Sequence, residues 1–135
     1  MNVDLAIVVL RLAVAAIFIA QGWRKLLAPA EAPHGRANLQ RMISSGGFPA
    51  AAPLAILVGL AELGGGTLVL AGLLTRLAVL PLIAILLVAI GRFKWKAGFL
   101  GGWDWPLAVL GACAALLLLG AGRLSLDHVL GVPGS

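Results

Sequence analysis

Charged side chains are scarce in this chain of 135 residues, where lysine, arginine, aspartate and glutamate together make up 11%. A soluble domain carries roughly 25% charged residues, whereas 61% of the residues here are hydrophobic and the mean hydropathy is +1.08. So few charges cannot cover a water-facing surface, which excludes a soluble globular domain and a disordered chain. The composition therefore predicts a small polytopic membrane protein.

Cysteine and histidine are also rare. The single cysteine, Cys113, excludes an internal disulfide and a Cys-x-x-Cys redox pair. His34 and His128 fall in polar segments at opposite ends of the predicted bundle, so we expect no shared metal site and no axial haem ligand within a span. The net charge is +5, but no basic run with interleaved aromatics stands out, so no nucleic-acid partner is expected.

Four apolar stretches predict four transmembrane helices, at residues 5–24, 54–74, 76–92 and 104–120. A helix needs about 20 residues to cross the hydrocarbon core, and the last two stretches approach that length with flanking arginines, whose stems reach the interface. No alternation of apolar and polar residues suggests a barrel. We therefore expect an all-α membrane protein, a four-transmembrane-helix bundle that forms one domain over residues 1–135.

Two short helices are predicted outside the spans. In the first connection, apolar side chains recur at i, i+3 and i+4 (Leu39, Met42 and Ile43) against polar ones at Arg36, Gln40 and Arg41. This pattern predicts a short interfacial amphipathic helix, and the alternative is an irregular surface loop. Near the C-terminus, Ser125 has the side chain of an N-cap and predicts a short helix after it.

Basic residues are distributed unequally between the two ends of the predicted bundle. We call the end with both termini and the second connection side A, and the end with the first and third connections side B. Side A carries Arg76 and Arg123, whereas seven basic residues fall on side B: Arg24, Lys25, Arg36, Arg41, Arg92, Lys94 and Lys96. The positive-inside rule then predicts that side B is cytoplasmic and that both termini lie outside.

The tryptophans share this asymmetry, since all four belong to side B: Trp23, Trp95, Trp103 and Trp105. An interfacial aromatic belt normally occupies both faces of the membrane. Two interpretations therefore stay open, a one-sided belt and the wall of a binding site.

A few polar residues interrupt the spans and are the candidate functional residues: Arg11, Gln21 and Glu62, with Asp104 and Trp105 at the start of the fourth span. An ionisable group inside a span costs at least about 2.5–3.5 kcal/mol on insertion scales, so it is a functional hypothesis by default. Glycines at i−3, i+3 and i+4 from Glu62 make its helix face smooth, which allows a neighbouring helix to approach closely and turns the carboxylate into the bundle.

These residues support two alternatives. In the first, Arg11 and Glu62 form a buried pair that holds the bundle together. However, side chains lean toward the N-terminus of their own helix, so in antiparallel spans Arg11 leans to side A and Glu62 to side B. In the second, Glu62, Gln21, Asp104 and Trp105 form a polar, aromatic-walled cavity open to side B, which would suit a quinone ring with Glu62 as proton acceptor.

The chain resembles the DoxX family along nearly its whole length. The resemblance is carried by an ordered set of motifs: Arg11 with Phe18–Leu26, Gly46–Pro49, Gly59–Gly66, Gly72–Arg76, Gly101–Trp105 and Leu119–Asp127. It implies a four-helix protein of the bacterial cytoplasmic membrane. Relatives are linked to quinone-coupled oxidoreduction, as a small subunit of thiosulfate:quinone oxidoreductase, or to oxidative-stress complexes.

The resemblance also implies which positions matter and what binds. The residues that match the family pattern are Arg11, Lys25, Glu62, Thr75, Arg76 and the acidic Asp104, whereas many relatives have histidine where this chain has Gln21. The implied function is an accessory subunit rather than a complete enzyme, with no covalently bound cofactor. Its expected partners are membrane lipid, a quinone, an oxidoreductase subunit and a second copy of the chain. The alternatives are a structural or assembly protein and a small dimeric transporter, which would also use an intramembrane carboxylate.

Overall fold

The computed structural model describes residues 2–133, which form six α-helices and no strand. In chain order they are α1 Asn2–Leu26, α2 Arg36–Ser45, α3 Ala51–Ala71, α4 Thr75–Val88, α5 Asp104–Leu119 and α6 Leu126–Val129. Four helical segments are long and apolar enough to cross a membrane: α1, α3, Thr75–Ala97 and Phe99–Leu119. The predicted all-α, four-span fold is confirmed.

The second span differs at both ends from the predicted range 54–74. It begins at Ala51 and ends at Ala71, because Gly72 adopts a left-handed conformation with φ +69°. The N–H groups of Gly72 and Leu73 then bond back to the carbonyls of Val69 and Leu68. A glycine in this conformation commonly ends a helix. The hydropathy pattern did not show this helix end, because the next residues, Leu73 and Leu74, are apolar.

The third connection is helical over its first part, beyond the predicted end of the third span at Arg92. Beyond Val88 the chain continues as wider π-helical turns over Ala89–Lys94 and a 3-10 turn over Trp95–Ala97. It reverses only at Gly98, where φ is +83°, a value that glycine adopts without strain. The third span therefore extends past the predicted range 76–92.

Helices α1 and α3 pack closely against each other, because glycines without a Cβ atom lie at their contact. A Cβ atom added at Gly22 would lie 2.5 Å from the backbone nitrogen of Leu63, so no larger residue fits there without a shift of one helix. The predicted smooth face of α3 is confirmed, since Gly59 and Gly66 face α1, while Gly65 faces α4.

The connections meet at the two ends of the bundle as the topology predicts. At side B, the predicted amphipathic helix is confirmed as α2, with Ile43 buried and Arg41 exposed. Arg92 of the third connection donates to the carbonyl of Gly46 at 2.6 and 2.9 Å. At side A, the N–H of Asp127 donates to the Gly72 carbonyl at 2.9 Å, which joins α6 to the turn between α3 and α4.

Candidate functional site

Glu62 forms an ion pair with Lys25 in the interior of the side-B half of the bundle. The Lys25 Nζ atom lies 2.6 Å from the Glu62 carboxylate, and the side chains are only 12% and 5% exposed. Lys25 sits near the end of α1, one turn beyond the buried Gly22. The carboxylate that the sequence singled out therefore has a neutralising partner on the neighbouring helix.

The first of the two alternatives, a buried pair between Arg11 and Glu62, is wrong, because the two side chains have other partners. Arg11 instead donates four hydrogen bonds to backbone carbonyls at side A: to Val69 at 3.0 Å, Leu70 at 2.8 Å, Ala121 at 3.1 Å and Leu124 at 2.7 Å. The physical reason is the direction of the two side chains. Each leans toward the N-terminus of its own helix, and the helices run antiparallel, so the two groups point to opposite ends.

Arg11 ties the end of α3 to the C-terminal segment. Helix carbonyls in the last turn have no partner within the helix, and a cation at that end interacts favourably with the helix dipole. Asp127, buried beside this end of the bundle, accepts hydrogen bonds from the N–H groups of Leu74 at 2.7 Å and Thr75 at 3.2 Å. It caps the start of α4 from 52 residues away, whereas the predicted Ser125 cap of α6 is confirmed by its bond from the His128 N–H at 3.2 Å.

Two cavities open at the side-B end of the bundle and share Lys25 and Leu39 in their linings. The first has a volume of about 280 Å³ and lies between α2, α3 and α4, with Phe48 and Phe93 in its wall. Among the residues described, Lys25 is its one charged lining residue. This first cavity is therefore apolar except for a single ammonium group.

The second cavity has a volume of about 340 Å³ and is polar and basic. Its lining includes Gln21, Arg24 and Lys25 of α1, together with Lys94 and Trp105. The structure thus brings Gln21 and Trp105 together at side B, as the sequence predicted.

The predicted four-residue cavity is divided, however. Glu62 lines neither of these two cavities and reaches them only through Lys25, which lines both. Asp104 also lies outside both linings, because its carboxylate accepts hydrogen bonds from the N–H groups of Gly101 at 3.1 Å and Trp105 at 2.9 Å. Asp104 thereby shapes the turn that leads into α5, and its inclusion in the cavity was wrong.

The four tryptophans serve different contacts. Trp95 and Trp103 stack with ring centroids 5.2 Å apart, and Phe99 packs edge-on against Trp103 at 4.7 Å. Trp105 lines the second cavity, with Lys94 Nζ 5.4 Å from its ring centroid. Trp23 is exposed on α1. Trp105 therefore lies in the wall of a cavity, whereas the exposed Trp23 suits the belt interpretation.

Lys25 is the residue that sequence reasoning missed as the partner of Glu62, because it was grouped with the charges that set orientation. Its signal lies in the spacing of the buried face of α1, which is formed by Ile7, Arg11, Val14, Ala15, Phe18 and Gly22. The next steps of three or four residues on that face reach Lys25 and Leu26. The spacing therefore predicts a cation on the face of α1 that packs against α3.

These observations define a small four-span helical membrane protein with a buried ion pair and two cavities at one end. The DoxX family profile matches residues 6–95. The uncharacterized membrane protein Rv3486 of Mycobacterium tuberculosis is 37% identical over 136 aligned positions, which cover 91% of this chain and 80% of the relative. No solved structure matches. The chain belongs to the DoxX family, and the matched region includes Arg11, Gln21, Lys25 and Glu62.

Proposed function

We propose that this protein is an accessory subunit of a quinone-linked membrane oxidoreductase system and that a quinone ring binds in the first cavity. The observation that carries the proposal is the Lys25–Glu62 ion pair beside a cavity of about 280 Å³ that is otherwise apolar. Small-molecule sites are typically concave and apolar, with a few polar groups that fix the orientation of the ligand.

The residues around the cavity fit the chemistry of a quinone ring. The ring is flat and apolar and carries two carbonyl acceptors, while the Lys25 ammonium has three N–H donors, of which one is directed to Glu62. A second donor can bond a ring carbonyl. Phe48 and Phe93, with ring centroids 6.2 Å apart, offer aromatic surface to the ring.

A bound quinone would accept two electrons from a partner oxidoreductase and two protons. This chain supplies binding, orientation and a proton route. The Glu62 carboxylate lies 2.6 Å from Lys25 Nζ and can exchange a proton with it. The Lys25 ammonium would give one proton to the carbonyl oxygen that it bonds and regain a proton from water through the second cavity, which it also lines. The second proton of the hydroquinone would come from water at the mouth of the first cavity.

The test measures saturable quenching of tryptophan fluorescence by decylubiquinone, with the protein in lipid nanodiscs. Glu62→Gln removes the charge that holds Lys25 in place. We expect a folded protein whose quinone affinity falls about tenfold, because a buried Lys25 without its counter-charge bonds the ring carbonyl less well. Val58→Phe fills the cavity from α3 and should abolish saturable binding.

Leu57→Phe is the matched control, because Leu57 neighbours Val58 on α3 but is 60% exposed. It adds the same ring on the lipid side and should bind quinone as the wild type does. Wild-type affinity in both Glu62→Gln and Val58→Phe would refute the quinone site.

A structural or assembly role is the second candidate, and the carbonyl cluster around Arg11 favours it. Four hydrogen bonds from one buried guanidinium join α3 to the C-terminal segment. If the wild type shows no saturable quinone binding while Arg11→Met lowers the Tm in detergent, this second role is the better account of the buried charges.

We also propose that the protein resides in a bacterial cytoplasmic membrane with side B in the cytoplasm. The seven basic residues of side B against two on side A support this orientation. The similarity to a mycobacterial membrane protein supports the bacterial assignment.

A further inference from the structure

The second cavity is strongly basic, and its positive charge is not balanced within its lining. Arg24, Lys25 and Lys94 line it, and no aspartate or glutamate among the residues described does so. Within residues 2–133 the carboxylates that form ion pairs are Glu62, with Lys25, and Glu31, with Arg41. Among the residues described, Arg24 and Lys94 therefore face the cavity without forming an ion pair, although the Asp104 carboxylate is near enough to Lys94 to interact with its charge.

Neutral donors complete the lining. The side-chain amides of Gln21 and Asn38 border the same space as Arg24 and Lys94. Guanidinium, ammonium and amide N–H groups are the donors that proteins use to bind phosphate oxygens, and arginine can do so with two parallel bonds. Asp104, next to Trp105 in the chain, has its carboxylate committed to the N–H groups of Gly101 and Trp105.

The cavity lies near the side-B ends of the spans, where the headgroup layer of the membrane is expected. It is bounded by the last turns of α1, which ends at Leu26, and by Trp105 in the first turn of α5. Tryptophan side chains are typical of the membrane–water interface. Phospholipid phosphates occupy the same layer, so an anionic group is present there at high local concentration.

We infer that the second cavity is a binding site for a phosphate group, which Arg24 and Lys94 hold with the help of Gln21 and Asn38. An anionic phospholipid is the source that its depth favours, and free inorganic phosphate would use the same chemistry. The site does not rest on the proposed quinone function, because Arg24 and Lys94 are absent from the lining of the first cavity.

The experiment uses the purified chain in a neutral detergent and follows the Tm by intrinsic tryptophan fluorescence. Three probes are titrated separately: dioctanoyl phosphatidylglycerol, dioctanoyl phosphatidylcholine and inorganic phosphate. We expect phosphatidylglycerol to raise the Tm in a saturable way and phosphatidylcholine not to do so. In the double variant Arg24→Gln/Lys94→Gln the apparent affinity should fall by about tenfold or more, the loss of at least one charge-assisted hydrogen bond.

Lys96→Gln is the matched control, since Lys96 is exposed, lies in the same connection and does not line the cavity. It should change the affinity by no more than about twofold, because an exposed charge there adds only screened attraction. Met42→Trp is a second variant, which narrows the cavity while all its charges stay in place. Like the double variant, Met42→Trp should weaken the rise in Tm that phosphatidylglycerol causes.

The outcomes separate the sources of the phosphate. A response to phosphatidylglycerol alone that needs Arg24 and Lys94 supports a lipid site, and the same dependence with inorganic phosphate supports a free-anion site. The inference is overturned if neither phosphatidylglycerol nor inorganic phosphate raises the Tm, if phosphatidylcholine raises it as much as phosphatidylglycerol does, or if Lys96→Gln weakens the response as much as the double variant does.

Discussion

The buried charges of this protein have separate partners at opposite ends of the bundle. Arg11 donates hydrogen bonds to helix carbonyls at side A, and Glu62 is neutralised by the Lys25 ammonium toward side B. Arg11 and Glu62 were recognisable from the sequence because an ionisable residue in a span has few explanations. The acceptors of Arg11 were not recognisable, because they depend on how each helix is rotated about its axis and on where a long side chain ends. Lys25 was indicated only by the spacing of the buried face of α1.

This arrangement predicts how substitutions combine. In a double-mutant cycle of Lys25→Met and Glu62→Gln, measured by unfolding in mixed micelles, we expect a coupling energy of about 1–3 kcal/mol, because each single change leaves the other group buried without its partner.

The matched cycle pairs Arg11→Met with Glu62→Gln. Arg11 bonds at Val69, seven residues or about 10 Å along α3 from Glu62, so the two changes should add within about 0.5 kcal/mol. Strong coupling in this second cycle, and none in the first, would contradict the observed partners.

At the scale of elements, the spans were predictable but their ends and close contacts were not. Hydropathy located all four spans, because each crosses the apolar layer as a nearly continuous run of apolar residues. It did not show that α3 stops at Gly72 or that α4 continues through π-helical turns, because these depend on backbone conformation rather than on polarity. Gly22 was identified only as part of a family motif, and the structure shows its physical role.

Gly22 therefore provides a test of the contact between α1 and α3. Gly22→Ala places a Cβ against the Leu63 backbone, and we expect the free energy of unfolding to fall by about 1–3 kcal/mol through overpacking. Equilibrium unfolding in mixed micelles measures the change.

Gly64→Ala is the control on α3. A Cβ at Gly64 meets no atom within 4 Å, so the variant should be neutral or more stable by up to about 1 kcal/mol, the helix preference of alanine over glycine. Equal losses in both variants would contradict this explanation, because a Cβ at Gly64 meets no neighbour and alanine is the better helix former.

At the scale of the whole molecule, the two ends of the bundle differ in charge and in aromatic content. Side B carries the seven basic residues, all four tryptophans and the two cavities of the candidate site, whereas a cavity of about 240 Å³ at side A is bordered by Thr75 and Asp127. The sequence alone indicated the charge asymmetry, because loop composition can be read directly. The sequence predicted a single cavity at side B where the structure has two. The helix α2 borders both cavities, and its position depends on how Ile43 and its neighbours pack, which the sequence does not show.

The proposed orientation is testable because the natural cysteine, Cys113, is fully buried. Single cysteines introduced by Ser44→Cys on α2 and by Val129→Cys on α6 lie exposed on side B and side A, respectively. With a membrane-impermeant maleimide, we expect Val129→Cys to react in intact cells and Ser44→Cys only after permeabilisation. The unsubstituted chain controls for reaction at Cys113, and the reverse labelling pattern would refute the orientation.

The hydrogen bonds of Arg11 also constrain the order in which the protein can be completed during synthesis. Arg11 emerges in the first span, but two of its acceptors, the carbonyls of Ala121 and Leu124, are 110 and 113 residues further along the chain. Until the ribosome has delivered that segment, the first helix resides in the translocon or the bilayer with a guanidinium that lacks part of its final coordination. The hydrogen bonds of Arg11 are therefore complete only after the C-terminal segment has been synthesised. A nascent chain that stalls before residue 121 would expose to membrane quality control a first span whose charge is only partly bonded.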